Sequence, residues 1–244
     1  LEEFQDILKW VYTIHDQVST DVEIVIVSQC GPTGPNGEIE RTIVVDALAL
    51  VDSIEDGKAK LAPFQTYPGI GNAIINVYGE ETQLSVRREQ QIMANPEGHR
   101  YFVDNIWVDG DPALIAEKLD PLFTTIPEQK GFTIWFSMGP LRELPDMAFS
   151  LQSPGYVATY LVSEDQNNDA RNRAWLDSAM ANAQPVTAGT YLGDSDFGNR
   201  QLKFMSPKNF DRLQQIIAKR DPDGRFVRYL AKDPQNLNKN HWDL

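Results

Sequence analysis

Few side chains in this 244-residue sequence stand at a spacing that does chemistry. His15, His99 and His241 are far apart and in unrelated contexts, and Cys30 is the single cysteine. Neither a metal-ligand pattern nor an internal disulfide framework follows from them. Gly69-x-Gly71 lacks the third glycine of a dinucleotide loop, Ile74 standing in its place, and no strand precedes it, so it reads as a turn. Arg87 and Arg88 could reach an anionic ligand, yet the polar stretch Thr82 to Ala94 around them fits a solvated helical face. Tyr191-Leu192-Gly193-Asp194-Ser195-Asp196 gathers a phenol, a hydroxyl and two carboxylates, and by composition is a loop turn.

Charge narrows the partners. The net charge is −13 and the isoelectric point is near 4.6. That excess argues against nucleic acid and against anionic membrane surfaces, which both reward clustered Lys and Arg. No apolar run approaches the roughly 20 residues that span a bilayer. A chain of this length buries a core as one large domain or two small ones. It opens on Leu1 with no signal-peptide pattern, which we read as a piece of a longer polypeptide. One cysteine is compatible with a reducing compartment, and the cytoplasm is slightly favoured.

The elements that position these residues follow from periodicity. Phe4, Ile7, Leu8, Val11 and Ile14 predict a helix within Glu2 to Val18. Asp21 to Ser28 and Thr42 to Val51 are β-branched runs joined by a Gly- and Pro-rich loop, hence an antiparallel pair. Ser53 caps a short helix, and Thr82 to Ala94 is helical in part. Gly98 to Val108 is strand-like, and Asp111 caps a helix that starts at Pro112. Gly131 to Met138 alternates with Thr133, Trp135 and Ser137 on one face. Met147 to Gln152 and Tyr156 to Ser163 are expected as the next pair, across Ser153-Pro154-Gly155. Asp165 to Ala183 is a helix, and Val186 to Leu192 closes the sheet. The absence of strict βαβ alternation gives an α+β fold: an antiparallel sheet with helices on one face, then a C-terminal helix and tail.

The last helix is capped by Ser206 with Pro207 as its first residue, and Phe210, Leu213, Ile216 and Ile217 share a face. Asp221-Pro222-Asp223-Gly224 ends it in a turn, and Phe226, Val227 and Tyr229 are expected to return to a core. The order of Asn209, Phe210, Arg212 and Leu213, then Asp221, Pro222 and Phe226, resembles the closing segment of the berberine bridge enzyme-like FAD-linked oxidases, of the vanillyl-alcohol oxidase type. Gly224 stands where that family usually has Asn. The Trp135 to Pro140 strand exit and the Pro145 to Phe149 run fall in the family's order.

The resemblance implies a substrate-binding cap at residues 1–193 and a closing segment at 194–231 that returns to an FAD-binding module. Residues 232–244 are expected as a loose tail. The implied cofactor is FAD, bound mainly by the N-terminal module that this chain does not contain, so the chain alone would bind it weakly and be inactive. The implied reaction oxidises an alcohol or amine carbon of a small organic substrate by hydride transfer to the flavin. Family members often carry Tyr-x-Asn-Tyr-x-Asp before the closing helix, with the second Tyr as base in several. In the corresponding stretch here Tyr191 and Asp196 match, Gly193 replaces Asn, and Asp194 takes the base position. The resemblance therefore implies Asp194 or Tyr191 as the catalytic group and Asn209 as a flavin contact. A carboxylate of reference pKa about 3.9 is a weaker base than a tyrosinate unless burial raises it. Substrate contacts from the sheet face toward the flavin would come from Tyr101, Asn105, Trp107, Trp135 and Gln152. Relatives that oxidise sugars often have His-Arg where this chain has Leu151-Gln152, so a sugar is not implied.

Two other readings stay open. Five tryptophans and an open sheet also suit a stand-alone, non-catalytic ligand-binding or dimerisation module. The Gly193-Asp194 departure suits a member of the fold without its chemistry. An exposed apolar seam from Phe204 to Val227 would favour the cap over the stand-alone module.

Overall fold

The computed structural model describes residues 1–32 and 39–226. Six strands form one antiparallel sheet: β1 (Val22–Pro32), β2 (Ile39–Ala49), β3 (Arg100–Val108), β4 (Phe132–Ser137), β5 (Gly155–Ser163) and the short β6 (Thr187–Gly189). Their order across the sheet is β2-β1-β4-β5-β3-β6. The first pair runs in register from Val22↔Ala49 to Pro32↔Ile39. Residues 33–38 lie outside the described ones, as do Val227, Tyr229 and the tail expected at 232–244.

Three helices cover one face: α1 (Phe4–Ile14), α4 (Pro112–Thr124) and α5 (Asp169–Asn182). Phe4, Leu8 and Val11 of α1, and Ile115, Leu119, Leu122 and Phe123 of α4, are buried against Ile24, Ile26, Ile106, Trp135, Val157 and Leu161 of the sheet. Phe4 and Phe123 stack at 4.2 Å. The caps are as the sequence predicts: Ser53 accepts from the Asp56 amide, and Asp111 from Ala113 and Leu114. The remaining helices are α2 (Ile54–Leu61), α3 (Leu84–Ala94) and α6 (Pro207–Arg220). Arg87 of α3 is not free for an anion, because it forks onto Asp46 of β2 at 2.5 and 3.1 Å.

The alternation of β4 places Thr133 and Trp135 under the helices and Phe132, Ile134 and Phe136 on the other face. A hydroxyl on the covered face has a purpose. Thr133 Oγ1 donates to the Leu122 carbonyl at 2.6 Å, and Ser28 Oγ of β1 donates to the Phe123 carbonyl at 2.5 Å. Both carbonyls belong to the last turn of α4, where no intrahelical partner remains.

Met147 to Gln152 is not a strand, contrary to the expected pairing with Tyr156 to Ser163. Both edges of β5 are already occupied, by β4 and by β3. Residues 138–154 instead cross the uncovered face as irregular chain. Polar contacts with the start of α6 hold that crossing. The Ser206 amide donates to Ser150 Oγ at 3.0 Å, and Arg212 pairs with Asp146 at 2.7 Å. The closing strand is likewise shorter than Val186 to Leu192, because β6 ends at Gly189. There φ is +155°, and a Cβ would meet the Lys203 carbonyl at 2.6 Å.

Candidate functional site

The uncovered face has its own aromatic centre. Trp107 of β3 lies opposite Tyr156 of β5, and Phe136 of β4 lies opposite the same Tyr156. Period-two alternation puts Asn105, Ala158 and Tyr160 on this face as well. Trp107, Tyr156 and Ala158 are buried together, with Phe136, Leu151 and Tyr160 packed against them. Two irregular segments border this centre. The 138–154 crossing brings Phe149, whose ring centre is 6.0 Å from Trp107. The chain after β6 brings Tyr191, at 6.1 Å from Phe149 and 6.2 Å from Tyr156. These are edge-to-face contacts, the arrangement aromatic quadrupoles favour. Phe149 and Tyr191 remain exposed.

Asp194 supplies the charge, from a 3₁₀ turn at Leu192–Asp194. Its Oδ2 accepts the Tyr156 hydroxyl at 2.6 Å, and the Tyr160 hydroxyl interacts with the same carboxylate. Burial, and then the Asp194 charge, push both phenols well above the ordinary tyrosine range. At neutral pH both are protonated donors. Neighbouring cations go elsewhere, Arg173 to Asp196 and Arg200 to Asp104, each at 2.7 Å. Gly193 admits a close approach: a Cβ there would stand 2.6 Å from the Tyr191 ring. The glycine thus lets the ring lie against the turn.

Of the residues singled out from sequence, Tyr191, Asp194 and Trp107 converge here. The Trp107 indole N–H is buried without a hydrogen-bond partner among the described residues. Asn105 is fully buried beneath the loop, its amide bonded to residues 190–195. Tyr101 shares the face but lies six positions along β3 from Trp107, about 20 Å away, with its hydroxyl on the Pro96 carbonyl. Trp135 is fully buried on the opposite face, edge-on to Tyr12 of α1. Gln152 braces the crossing through both Arg142 backbone groups. Asn209 does the same, its Nδ2 donating to the Met147 carbonyl at 2.5 Å.

Sequence reasoning missed Tyr156, Tyr160 and Phe149. The available signal was the alternation Tyr156-Ala158-Tyr160 within a strand already recognised, which puts both hydroxyls on one face.

For a flavin, the residues fit one wall of a site. The exposed Tyr191 and Phe149 rings suit a flat heterocycle, and the unpartnered Trp107 N–H suits an acceptor. The glycine-containing stretch Gly69 to Asn72 is a 3₁₀ turn and not a phosphate loop.

No family model matches the chain. It is 28% identical over 224 residues to the FAD-linked oxidoreductase penO of Penicillium crustosum, covering 90% of this chain and 48% of that protein. The FAD-linked oxidoreductase janO of Penicillium janthinellum is 29% identical over 228 residues, 91% of this chain and 49% of its own. The chain spans about half the length of the curated relatives it matches. Among solved structures, 6-hydroxy-D-nicotine oxidase from Arthrobacter nicotinovorans superposes with a TM-score of 0.66 at 12% identity, over 96% of this chain and 52% of that one. Berberine bridge enzyme from Eschscholzia californica gives 0.62 at 11% identity, over 94% and 52%. The fold is that of half of each. The chain is homologous to the FAD-linked oxidoreductases penO and janO, and its fold is shared with half of berberine bridge enzyme.

Proposed function

We propose that these residues are the substrate-binding half of an FAD-dependent oxidoreductase that oxidises an alcohol or amine carbon of a small organic molecule. In this reading residues 1–193 form the cap, residues from 194 onward return to an FAD-binding module, and that module is the chain's partner. One observation carries the reading: Asp194 stands in a half-open aromatic site with two protonated phenols as its partners. When bound, the flavin supplies the hydride acceptor.

The chain's own residues do the rest. Oxidation of a C–OH or C–NH group leaves a proton on oxygen or nitrogen, and a base within hydrogen-bond reach lowers the barrier. Asp194 accepts that proton. Tyr156 and Tyr160 cannot take this role at neutral pH, since both are held protonated; they orient the carboxylate instead. Trp107, Phe149 and Tyr191 supply apolar walls that position the substrate and exclude water. Tyr191 and Phe149 are the residues that would meet the flavin. Asn209 is a weaker contact for it, because its Nδ2 already serves Met147.

Asp194→Asn in the longer protein tests the assignment. Flavin reduction by substrate in single-turnover kinetics should slow by about 10²- to 10⁴-fold, with flavin content unchanged. Reduction at the parent rate would remove Asp194 as the base.

A further inference from the structure

A primary amide has two N–H donors and, on its oxygen, two lone-pair sites. In Asn105 all four are used, and all on one loop. Nδ2 donates to the Tyr191 carbonyl and to Ser195 Oγ, each at 3.0 Å. Oδ1 accepts from the Tyr191 amide at 2.7 Å and from the Thr190 hydroxyl at 3.0 Å. The side chain is fully buried, so nothing of it is left for a ligand. Other ties hold the ends of this loop, the Thr190 amide on the Lys203 carbonyl at 2.9 Å and Asp194 on the Tyr156 hydroxyl, while Asn105 bonds residues 190, 191 and 195 together. The only regular piece of the loop is the 3₁₀ turn at Leu192–Asp194, and Ser195 Oγ closes that turn onto the Tyr191 carbonyl at 2.6 Å.

Asn105 itself sits on a rigid base. Its strand lies between β5 and β6. The Asp104 carboxylate receives Arg200 Nε at 2.7 Å, and Arg200 Nη2 reaches the Asn105 carbonyl at 2.9 Å. The Asn105 amide N–H in turn donates to Asp104 Oδ1 at 2.8 Å. Strand, ion pair and side-chain amide thus form one continuous support under residues 190–195. Asp194 is the residue of that loop whose carboxylate reaches across to β5.

We infer that Asn105 is a positioning residue: it acts through the 190–195 loop to hold Asp194 against the Tyr156 hydroxyl. This rests on the reading of Asp194 as the reacting base. It also gives Asn105 a role other than the substrate contact its place on the strand suggests. Groups supported from a strand keep their geometry better than groups left to a loop.

The test reads the loop and the remote phenol separately, by NMR on the longer protein. In Asn105→Ala the Tyr191 amide loses its acceptor and its hydrogen exchange should accelerate about tenfold or more. The low-field hydroxyl proton of Tyr156, on a different strand, should disappear from the spectrum. Amides of Ile106 and Val157 should keep their protection, which separates loss of position from loss of fold. A folded Asn105→Ala with parental Tyr191 exchange and an intact Tyr156 hydroxyl signal overturns the inference. Should Asn105→Ala fail to fold, Asn105→Ser withdraws the same acceptor from the Tyr191 amide with a smaller loss of volume. Exchange at Tyr191 faster by about fivefold would sustain the inference, and unchanged exchange would overturn it. The two claims separate cleanly. Unchanged turnover of Asp194→Asn in the longer protein removes the base and leaves these signals as they are.

Discussion

At the scale of single residues, the chemistry of the site depends on which oxygen holds a proton. Tyr156 and Tyr160 are both driven above the ordinary value near 10, burial first and the Asp194 charge second. Removing the charge should therefore move them only part of the way back. In Asp194→Asn, NMR of tyrosine-labelled protein should show these two phenols ionising at lower pH than in the parent, yet still above an exposed tyrosine. Tyr12 and Tyr67, raised for reasons that do not involve Asp194, should not move. A second expectation concerns Gly193. Asn at this position, the residue the family pattern has there, places a Cβ where the Tyr191 ring now lies. Gly193→Asn should turn the ring outward, read as loss of its ring contacts with Phe149 and Tyr156 in nuclear Overhauser spectra. By its own residues the Tyr191 to Asp196 stretch reads as a loop turn, and it was singled out through the resemblance to a pattern that is contiguous in sequence. Tyr156 was not, because its importance comes from a strand pairing and a carboxylate 38 positions away.

At the scale of elements, caps and periodicity were legible because they are short-range. Ser53, Asp111 and Ser206 each cap the helix that follows, and the apolar spacing of α1 places Phe4, Leu8 and Val11 inward. The segment before β5 was misread for a complementary reason. A short apolar run between Pro145 and Ser153 has strand-like content, and only the sheet order reveals that no edge is left for it to pair with. The covered-face hydroxyls are also a tertiary matter. Thr133 completes the last turn of α4 from a neighbouring strand, so Thr133→Val leaves the buried Leu122 carbonyl without that donor. Unfolding free energy in urea should fall by about 1–3 kcal/mol. A loss well below this would mean that the turn is satisfied some other way.

At the scale of the whole molecule, one face is closed by helices and the other is finished only in part. Phe204 and Phe210 are buried with Phe197 and Met205, while Ile216 is 48% and Phe226 74% exposed. The expected seam is thus open at its far end, and Val227 lies outside the described residues. Leu84, Ile92 and Met93 of α3 are exposed as well. Such surface is what a covering module would bury. The closed face makes a separate prediction through His15. Burial lowers its pKa, outweighing Asp16 nearby, so the folded state binds a proton less readily than the unfolded chain. Stability from this group is present above the unfolded value near 6.5 and is lost as pH falls through it toward the lower folded value. Melting temperature should drop across that window, and the drop should be smaller in His15→Gln. Whether these residues belong to a flavoprotein is decided most directly by the intact mass and visible spectrum of the polypeptide purified from its natural source. A yellow protein with flavin absorbance and roughly twice the mass of this chain, as the half-length matches imply, is the predicted result. A colourless protein of this chain's own mass, with no FAD-binding subunit accompanying it, would contradict the account.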